Sequence, residues 1–306
     1  MKLLRGFESP SCYRGGFVSI GNFDGVHCGH QAMLASLVRH ARADAVPAVV
    51  LTFDPHPIEL LRPEAAPPRL TTIAHRAELL EKFGVDCVIV VPATPRFLSL
   101  TAEEFFYTIV RTELQARGLV EGPNFFFGKN RQGSIAILRE LCEHNNVTLN
   151  VIPPVVVDQQ LVSSSVIRSL IEAGDVKEGA RLLGHSYRLS GQVVHGAERG
   201  RKLGFPTANL AESTNLIPGN GVYAATSTIN GIEFGAAVNI GPNPTFGESA
   251  KKVEVHVLDF NGDLYGKTLD VDFRRKIRNV IRFASIDDLL AQLRKDLIEI
   301  RSIVKE

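Results

Sequence analysis

Hydrophobic and polar positions follow two different rhythms along the chain. Up to about residue 184, short apolar runs alternate with longer segments that carry apolar residues at helix-like spacing. The run Val46–Phe53 is almost continuously apolar, as expected of a strand covered on both faces. The segment His30–Asp44 instead repeats apolar residues such as Leu34 and Leu37 with a helical period. This alternation predicts a parallel sheet with helices on both faces.

The remaining elements of this first part follow from similar signals. Thr101 to Glu104 form a capping box, and we expect their helix to run to about Arg117 and to end at Gly118. Ser163 begins a further helix. The other predicted elements are strands at 16–21, 86–91 and 147–152 and helices at 76–83 and 134–144.

The rhythm changes near Gly184. From there to residue 273, strand-like runs are separated by Gly, Pro and Asn signals such as the hairpin turn Asn230-Gly231. This predicts a small antiparallel barrel or sandwich, closed by a helix at Ser285–Val304. We expect strands at 190–194, 222–229, 233–240, 253–260 and 268–273.

Length and charge narrow the class of protein. A chain of 306 residues is typical of two domains, which we place at 1–184 and 185–306. The net charge of +1 argues against binding nucleic acid or a membrane through bulk positive charge. We find neither a signal peptide nor a run of apolar residues long enough to span a bilayer. We therefore expect small-molecule partners, no nucleic acid and no membrane, and leave a homo-oligomer open.

The cysteines point to a cellular compartment. The four residues Cys12, Cys28, Cys87 and Cys142 form no C-x-x-C pair and match no zinc spacing. Reduced thiols in a cytoplasmic protein are the expected interpretation.

The segment 21–30, GNFDGVHCGH, carries the clearest chemistry. It lies where the first predicted strand passes into the first helix, which is where ligands bind in open parallel sheets. The helix start offers free N–H groups to an anion, and His27 and His30 project from one side of the first turn. With 9 His and 26 Gly in the chain, H-x-G-H would occur by chance only about 0.02 times. The pattern therefore favours a phosphate site.

Two other segments fit the same site less specifically. His56, in the segment TFDPHP, follows the next strand, although a lone histidine is more often structural. Ser163, Ser164 and Arg168 lie at a helix start, where hydroxyls and a guanidinium suit a phosphate. Those hydroxyls could equally be helix caps.

In this order and at this spacing, GNFDGVHCGH, TFDPHP and VSSSVIR resemble the bacterial bifunctional riboflavin kinase/FAD synthetase family. The resemblance implies a Rossmann-like nucleotidyltransferase domain in which the phosphate of FMN attacks the α-phosphorus of ATP. It implies that His27 and His30 stabilise the charged transition state. The residues that it implies for binding ATP, Mg²⁺ and FMN are Gly21, Asn22, Phe23, Asp24, His56, Asn124, Ser163, Ser164 and Arg168.

The segment 122–128, GPNFFFG, departs from the family pattern G-x-D-F-R-F-G. Asn124 replaces an aspartate and can still form hydrogen bonds, whereas Phe126 replaces an arginine that would contact phosphate or base. The three consecutive phenylalanines are compatible with core packing or with stacking on adenine or flavin. A slower adenylylation is the expected consequence.

The second domain carries two further resemblances. The stretch 200–209, GRKLGFPTAN, and the stretch 253–260, VEVHVLDF, are similar to flavokinase signatures and imply an antiparallel flavokinase barrel. They imply that Thr207 and Asn209 bind Mg²⁺ and ATP phosphates, with Gly204 and Pro206 in the same loop. They also imply that Glu254 is the base for the riboflavin hydroxyl. Without the resemblance, Glu254 would be interpreted as a residue on the solvent-exposed face of a strand. The basic loop Arg199–Lys202 would be interpreted as a solvated loop.

The sequence leaves three hypotheses about the function. The main hypothesis is an enzyme that converts riboflavin to FMN and FMN to FAD, with Mg²⁺ as the metal. The altered segment 122–128 motivates a second hypothesis, a riboflavin kinase whose nucleotidyltransferase domain is weak or regulatory. A non-catalytic flavin-binding protein is the third.

Overall fold

Short apolar strands build a six-stranded sheet in the first half of the chain. The computed structural model describes residues 1–196, 200, 203–242 and 251–305. The strands of this sheet are β1 (Lys2–Arg5), β2 (Phe17–Ile20), β3 (Ala48–Phe53), β4 (Cys87–Val91), β5 (Gly118–Glu121) and β6 (Thr148–Val151). They are all parallel and follow the order β1-β4-β3-β2-β5-β6. The predicted parallel sheet is confirmed.

Helices cover both faces of this sheet, as the alternating pattern predicts. The fully apolar strand β3 shows why, because Val49 and Leu51 pack into one core cluster and Val50 packs into another. Strand side chains point alternately to opposite faces, so both faces need a cover. The helices are α1 (Cys28–Ala43), α2 (Pro57–Leu61), α3 (Ile73–Lys82), α4 (Pro95–Leu98), α5 (Ala102–Phe105), which continues as a π-helix (Phe106–Glu113), and α6 (Ile135–His144).

The structure differs from the sequence-based prediction around Gly118. The predicted helix to Arg117 ends at Glu113, and Gly118 does not terminate it but begins β5. An ideal Cβ on Gly118 would overlap Cε1 of Phe17, so the neighbouring strand β2 approaches too closely for any side chain. Strands β1 and β5 were not predicted, because KLLR and GLVE hold only two apolar residues each, fewer than the runs around β2 and β6.

The second half of the chain forms a closed barrel of antiparallel strands in the order β10-β13-β12-β11-β14-β9. Of the two predicted alternatives, barrel and sandwich, the structure thus confirms the barrel. The strands are β9 (Tyr187–Val194), β10 (Ala208–Ala211), β11 (Gly221–Ile229), β12 (Ile232–Gly241), β13 (Lys252–Val257) and β14 (Thr268–Arg278). Strand β10 lies inside a stretch whose glycines and proline indicated a loop.

Chain contacts divide the molecule into two units. The first contains Met1–Pro67 and Ile73–Val162, and also holds the hairpin of β7 (Val156–Val157) and β8 (Gln160–Leu161). The second contains Pro68–Thr72 and Ser163–Glu306. Helices α7 (Ser164–Ala173) and α8 (Val176–Leu183) therefore group with the barrel.

The last helix, α9 (Ile286–Ile303), confirms the predicted C-terminal helix. The hydroxyl of Ser285 caps it by accepting a hydrogen bond from the Asp288 backbone N–H at 3.1 Å. Ile300 packs against the barrel residue Ala224 in an apolar cluster. The buried carboxylate of Asp296 pairs with the guanidinium of Arg278 on β14 at 2.7 Å, which fixes the helix against the barrel.

Candidate active sites

The first site lies at the carboxyl ends of β2 and β5, where the strand order reverses. Chain connections lead from β2 to β3 on one side, whereas β5 pairs with β2 on the other. Backbone pairing between β2 and β5 stops at Val18 and Leu119. Beyond it, the hydroxyl of Ser19 donates to the Val120 carbonyl at 2.6 Å. Open sheets bind ligands at such a reversal, so this edge of the sheet is a candidate ligand site.

Helix α1 brings His27 and His30 together. The helix begins at Cys28, two residues before its predicted start, and His27 is its N-cap. The Nδ1 atom of His27 accepts a hydrogen bond from the His30 N–H at 3.3 Å, and the two rings stack with centroids 3.7 Å apart. An ideal Cβ on Gly29 would lie 3.1 Å from the His27 ring, so a glycine leaves room for this stack.

A buried network fixes the turn that precedes α1. The Thr52 hydroxyl donates to the Asn22 carbonyl at 3.0 Å, and Arg76 pairs with Asp24 at 3.1 Å, with both charged side chains about 5% exposed. Arg76 also reaches Thr52 at 3.4 Å. Sequence patterns did not point to Thr52 or Arg76, although Thr52 belongs to the TFDPHP segment. Removing either partner of the buried Arg76–Asp24 pair is costly, so this pair and the contacts of Thr52 hold the turn in place.

Two buried polar atoms in this site have no hydrogen-bond partner among the described residues, Oδ1 of Asn22 and Nδ1 of His30. Buried polar atoms are normally satisfied, so a pair of unsatisfied ones at a sheet reversal indicates a ligand site. Burial lowers the pKa of His30 well below its ordinary value, and the neighbouring His27 and Arg76 lower it further. The free protein therefore holds His30 neutral at pH 7.

Glu121, at the end of β5, is a second feature that the sequence did not reveal. The residue is 1% exposed, and its Oε1 accepts a hydrogen bond from the Ile20 N–H at 2.8 Å. Burial raises the pKa of Glu121 well above its ordinary range, and the Ile20 hydrogen bond only partly opposes this. Glu121 thus bridges β2 and β5 directly before the turn at Gly21.

We expect Glu121→Gln to stabilise the fold at pH 8 more than at pH 4. Between the ordinary pKa of 4.5 and the raised one, the native state keeps a proton that the unfolded chain has lost. Native stability therefore falls as pH rises through this window, and Gln removes that loss while its amide oxygen still accepts from Ile20. Thermal unfolding at both pH values should show a gain in Tm of at least about 2 °C at pH 8 only. An equal change at both pH values would contradict the assignment.

His56 and the serine segment form structural contacts in the fold. The Nδ1 atom of His56 caps α2 by accepting from the Ile58 N–H at 3.1 Å. Ser163 caps α7 by accepting from Val166, and Arg168 donates to the Pro68 carbonyl at 2.8 Å. Ser163, Ser164 and Arg168 belong to the second unit. Their ligand roles stay predictions.

Two of the three phenylalanines are core residues, and stacking on adenine or flavin stays a prediction for the third. Phe125 and Phe127 pack into the core of the first unit, with their rings stacked at 5.5 Å. Phe126 points outward and is 45% exposed, and Asn124 is exposed as well.

The second site is a strip of polar residues on adjacent barrel strands. Glu254 on β13 lies opposite Asn209 on β10 and Asn239 on β12. Its neighbours Val253 and Val255 are buried in the barrel, so the strip faces outward. Asn239 was missed, because an asparagine in a strand pattern carries no distinctive signal.

Close backbone approaches shape the loop before β10. An ideal Cβ on Gly196 would overlap the Asn209 amide nitrogen, and one on Gly200 would overlap the Phe205 carbonyl. Gly204 has a φ of +85°, which favours glycine, and the Pro206 carbonyl accepts from Nδ1 of His256 at 2.7 Å. These contacts position Thr207 and Asn209. Arg199, Arg201 and Lys202 of the basic loop lie outside the described part of the chain. So do Pro244 and Thr245 of the segment GPNPTFG, for which the sequence predicts a loop over the same site.

A parallel-sheet unit with paired histidines at a helix start, joined to a barrel with a polar strip, defines a two-domain nucleotide-handling transferase. Residues 9–166 match the family model for FAD synthetase, and residues 183–304 match the one for riboflavin kinase. The chain belongs to the bifunctional riboflavin kinase/FMN adenylyltransferase family.

The similarity to known proteins extends over nearly the whole chain. The bifunctional riboflavin kinase/FMN adenylyltransferase of Escherichia coli strain K12 is 37% identical over 98% of this chain and 97% of its own length. The protein of that name from Pseudomonas fluorescens is 38% identical over 99% and 98%. A solved structure from Streptococcus pneumoniae, described as a macrolide-efflux protein, is 32% identical with a TM-score of 0.86, covering 98% of this chain and 99% of that one. Within the described residues, no helix is both long and apolar enough to cross a membrane.

Proposed function

We infer that this chain catalyses two consecutive reactions, the phosphorylation of riboflavin to FMN and the adenylylation of FMN to FAD, with ATP as the second substrate of both. We assign the first reaction to residues 185–306 and the second to residues 1–184. The observation that carries this conclusion is the pair of family matches on the two units, each of which holds one of the sites described above.

For adenylylation, we propose that a phosphate oxygen of FMN attacks the α-phosphorus of ATP while the bond to pyrophosphate breaks. The start of α1 supplies backbone N–H groups and a positive dipole end for the phosphate chain. His27 and His30 lie there stacked, and polar atoms of Asn22 and His30 that have no partner in the described part of the chain are available to substrate. Positioning and charge stabilisation suffice for this chemistry, so no covalent intermediate with the protein is needed.

For the kinase reaction, we propose that the 5′-hydroxyl of riboflavin attacks the γ-phosphorus of ATP. Glu254 takes the hydroxyl proton, and ADP leaves. The location of Glu254 between Asn209 and Asn239 supports this role, since two amides on adjacent strands can hold substrate beside the carboxylate.

We propose Mg²⁺ as the metal of the barrel site, with Thr207 and Asn209 as protein ligands. Among the described residues there is no cluster of three or more His, Cys, Asp or Glu side chains that could hold a metal ion. Oxygen ligands from one or two side chains, completed by nucleotide phosphates, are what Mg²⁺ prefers. When bound, it would neutralise charge on the transferred phosphoryl group.

We also propose a cytoplasmic location, because all four cysteines are free thiols in the structure. Small molecules are the proposed partners, and nucleic acid is not among them.

Incubation of the purified chain with riboflavin, ATP and Mg²⁺, followed by separation of the flavins, tests the proposal. We expect FMN to appear first and FAD to follow. FMN that accumulates without FAD would favour a kinase with a weak or regulatory second domain. Flavin binding without ATP consumption would favour the non-catalytic alternative.

We expect Gly196→Ala to impair the kinase reaction alone. The new methyl group would displace the Asn209 amide, and a displacement of about 1 Å in a positioned group can cost 10²-fold in rate. Steady-state assays should show FMN formation reduced by about 10- to 100-fold. The conversion of added FMN to FAD is the internal control, and an unimpaired kinase would contradict the role of Asn209.

A further inference from the structure

The segment after β5 ends in a tight loop at residues 128–132, which we name the 128–132 loop. Phe127 and Gly133 close its base with two backbone hydrogen bonds, from the Phe127 N–H at 3.1 Å and from the Gly133 N–H at 2.9 Å. Phe127 is buried against Phe105, and the Lys129 N–H donates to the Leu100 carbonyl at 2.6 Å. The base of the loop is therefore fixed by core packing and by backbone contacts.

This loop holds an unusual backbone. Gly128, Asn130 and Arg131 have φ values of +72°, +55° and +59°. Residues with side chains rarely adopt this conformation, and such residues concentrate at functional sites. The exposed side chains of Lys129 and Arg131 lie on it. The backbone thus fixes the positions from which these two basic side chains extend.

The exposed ring of Phe126 orients one of these cations. The guanidinium carbon of Arg131 lies 4.5 Å from the centre of the Phe126 ring, within the range of a cation–π contact. Phe126 is 45% exposed, so packing in the core does not explain the position of its ring. Among the described residues, no carboxylate forms an ion pair with Arg131, which leaves its hydrogen-bond donors available.

The location of the loop connects this cation with the first site. Strand β5 runs parallel to β2, so both strands end at the same edge of the sheet. Just after β5, an ideal Cβ on Gly122 would lie 3.8 Å from Sδ of Met33, in the helix that begins beside His27. The segment that leads to the loop therefore runs past α1.

From these observations we propose that Arg131, oriented by the ring of Phe126, binds a phosphate group of the nucleotide substrates at the first site. Guanidinium groups suit phosphate because they form two parallel hydrogen bonds with it. Because the Arg131 guanidinium lies 4.5 Å from the Phe126 ring, we expect a guanidinium placed at position 126 to lie in the same part of the surface. The proposal rests on the adenylylation described above and adds a binding residue to it.

Steady-state conversion of FMN to FAD by the full chain tests this role. We expect Arg131→Ala to raise KM for ATP or for FMN by at least about tenfold, and the substrate affected identifies whose phosphate is bound. Phe126→Leu keeps an apolar side chain but removes the ring, and should raise the same KM about two- to fivefold. Arg139→Ala, at an exposed arginine of α6, is the matched control and should leave both KM values unchanged.

A double variant separates phosphate binding from a structural role. Phe126→Arg combined with Arg131→Ala should recover most of the lost affinity. Equal KM values for Arg131→Ala and Arg139→Ala, no recovery in the double variant, or a parallel loss of riboflavin kinase activity would each overturn the proposal. If the unsubstituted chain forms no FAD, the proposed adenylylation fails by itself. Calorimetric titration with inorganic pyrophosphate then decides about Arg131, since weaker binding by Arg131→Ala alone supports the site and equal binding refutes it.

Discussion

Glu254→Gln should reduce the formation of FMN from riboflavin by about 10²- to 10⁴-fold, the range expected for loss of a general base. Glutamine has nearly the same shape and can still form hydrogen bonds with neighbours, but it cannot accept the proton of the 5′-hydroxyl. The barrel should stay intact, because Glu254 lies on its outer face and the adjacent Val253 and Val255 provide the buried contacts. Initial rates of FMN formation at saturating riboflavin and ATP are the measurement.

Two comparisons make this result specific. FMN supplied directly to the Glu254→Gln protein should be adenylylated at the normal rate, because the first site lies in another unit of the chain. Glu233→Gln places the same change on an exposed carboxylate of the neighbouring strand β12 and should leave the kinase rate unchanged. A normal kinase rate in Glu254→Gln would exclude this residue as the base.

His30→Ala should have the complementary effect, with FAD formation reduced by about 10²- to 10³-fold, as for the loss of one transition-state hydrogen-bond donor. The substitution removes the ring stacked on His27 and the buried Nδ1 atom that has no partner among the described residues. Riboflavin kinase activity of the same protein should be unchanged. His144→Ala, at an exposed histidine near the end of α6, is the matched control.

The protonation of His30 gives this prediction a second readout. Burial keeps its pKa well below the ordinary value in the free protein, whereas a bound phosphate chain favours the charged ring. Binding of ATP should therefore be accompanied by proton uptake, which calorimetry in two buffers of different ionisation enthalpy measures. Proton uptake that is the same in His30→Ala, or an undiminished rate of FAD formation, would remove His30 from the mechanism.

Sequence patterns were informative where a physical signal extends over many residues. The apolar run of β3 predicted the parallel sheet, and the hairpin turn at Asn230-Gly231 predicted antiparallel strands but left barrel and sandwich open. Helix α1 and its two histidines were located to within two residues.

The contacts that complete the sites were not predictable in this way. Arg76 and Asp24 are 52 positions apart, and Glu121 meets Ile20 across 101 positions, so only the folded sheet brings them together. Likewise, a sequence cannot tell which of three consecutive phenylalanines points outward. The orientation of each ring depends on how the chain leaves β5, and the sequence did not reveal this short strand.

The β-sheets of the two units differ in whether they have exposed edge strands. The barrel closes on itself, whereas the parallel sheet ends at β1 and β6, where unpaired backbone groups could recruit a strand from another molecule. At β1 the exposed side chains of Lys2 and Arg5 make such an addition unfavourable, as charges on border strands do. β6 carries the polar residues Thr148 and Asn150 instead. Resistance to self-association through strand addition therefore depends on a few polar side chains of the first unit. Removing the charges at Lys2 and Arg5 should promote aggregation of an otherwise folded protein.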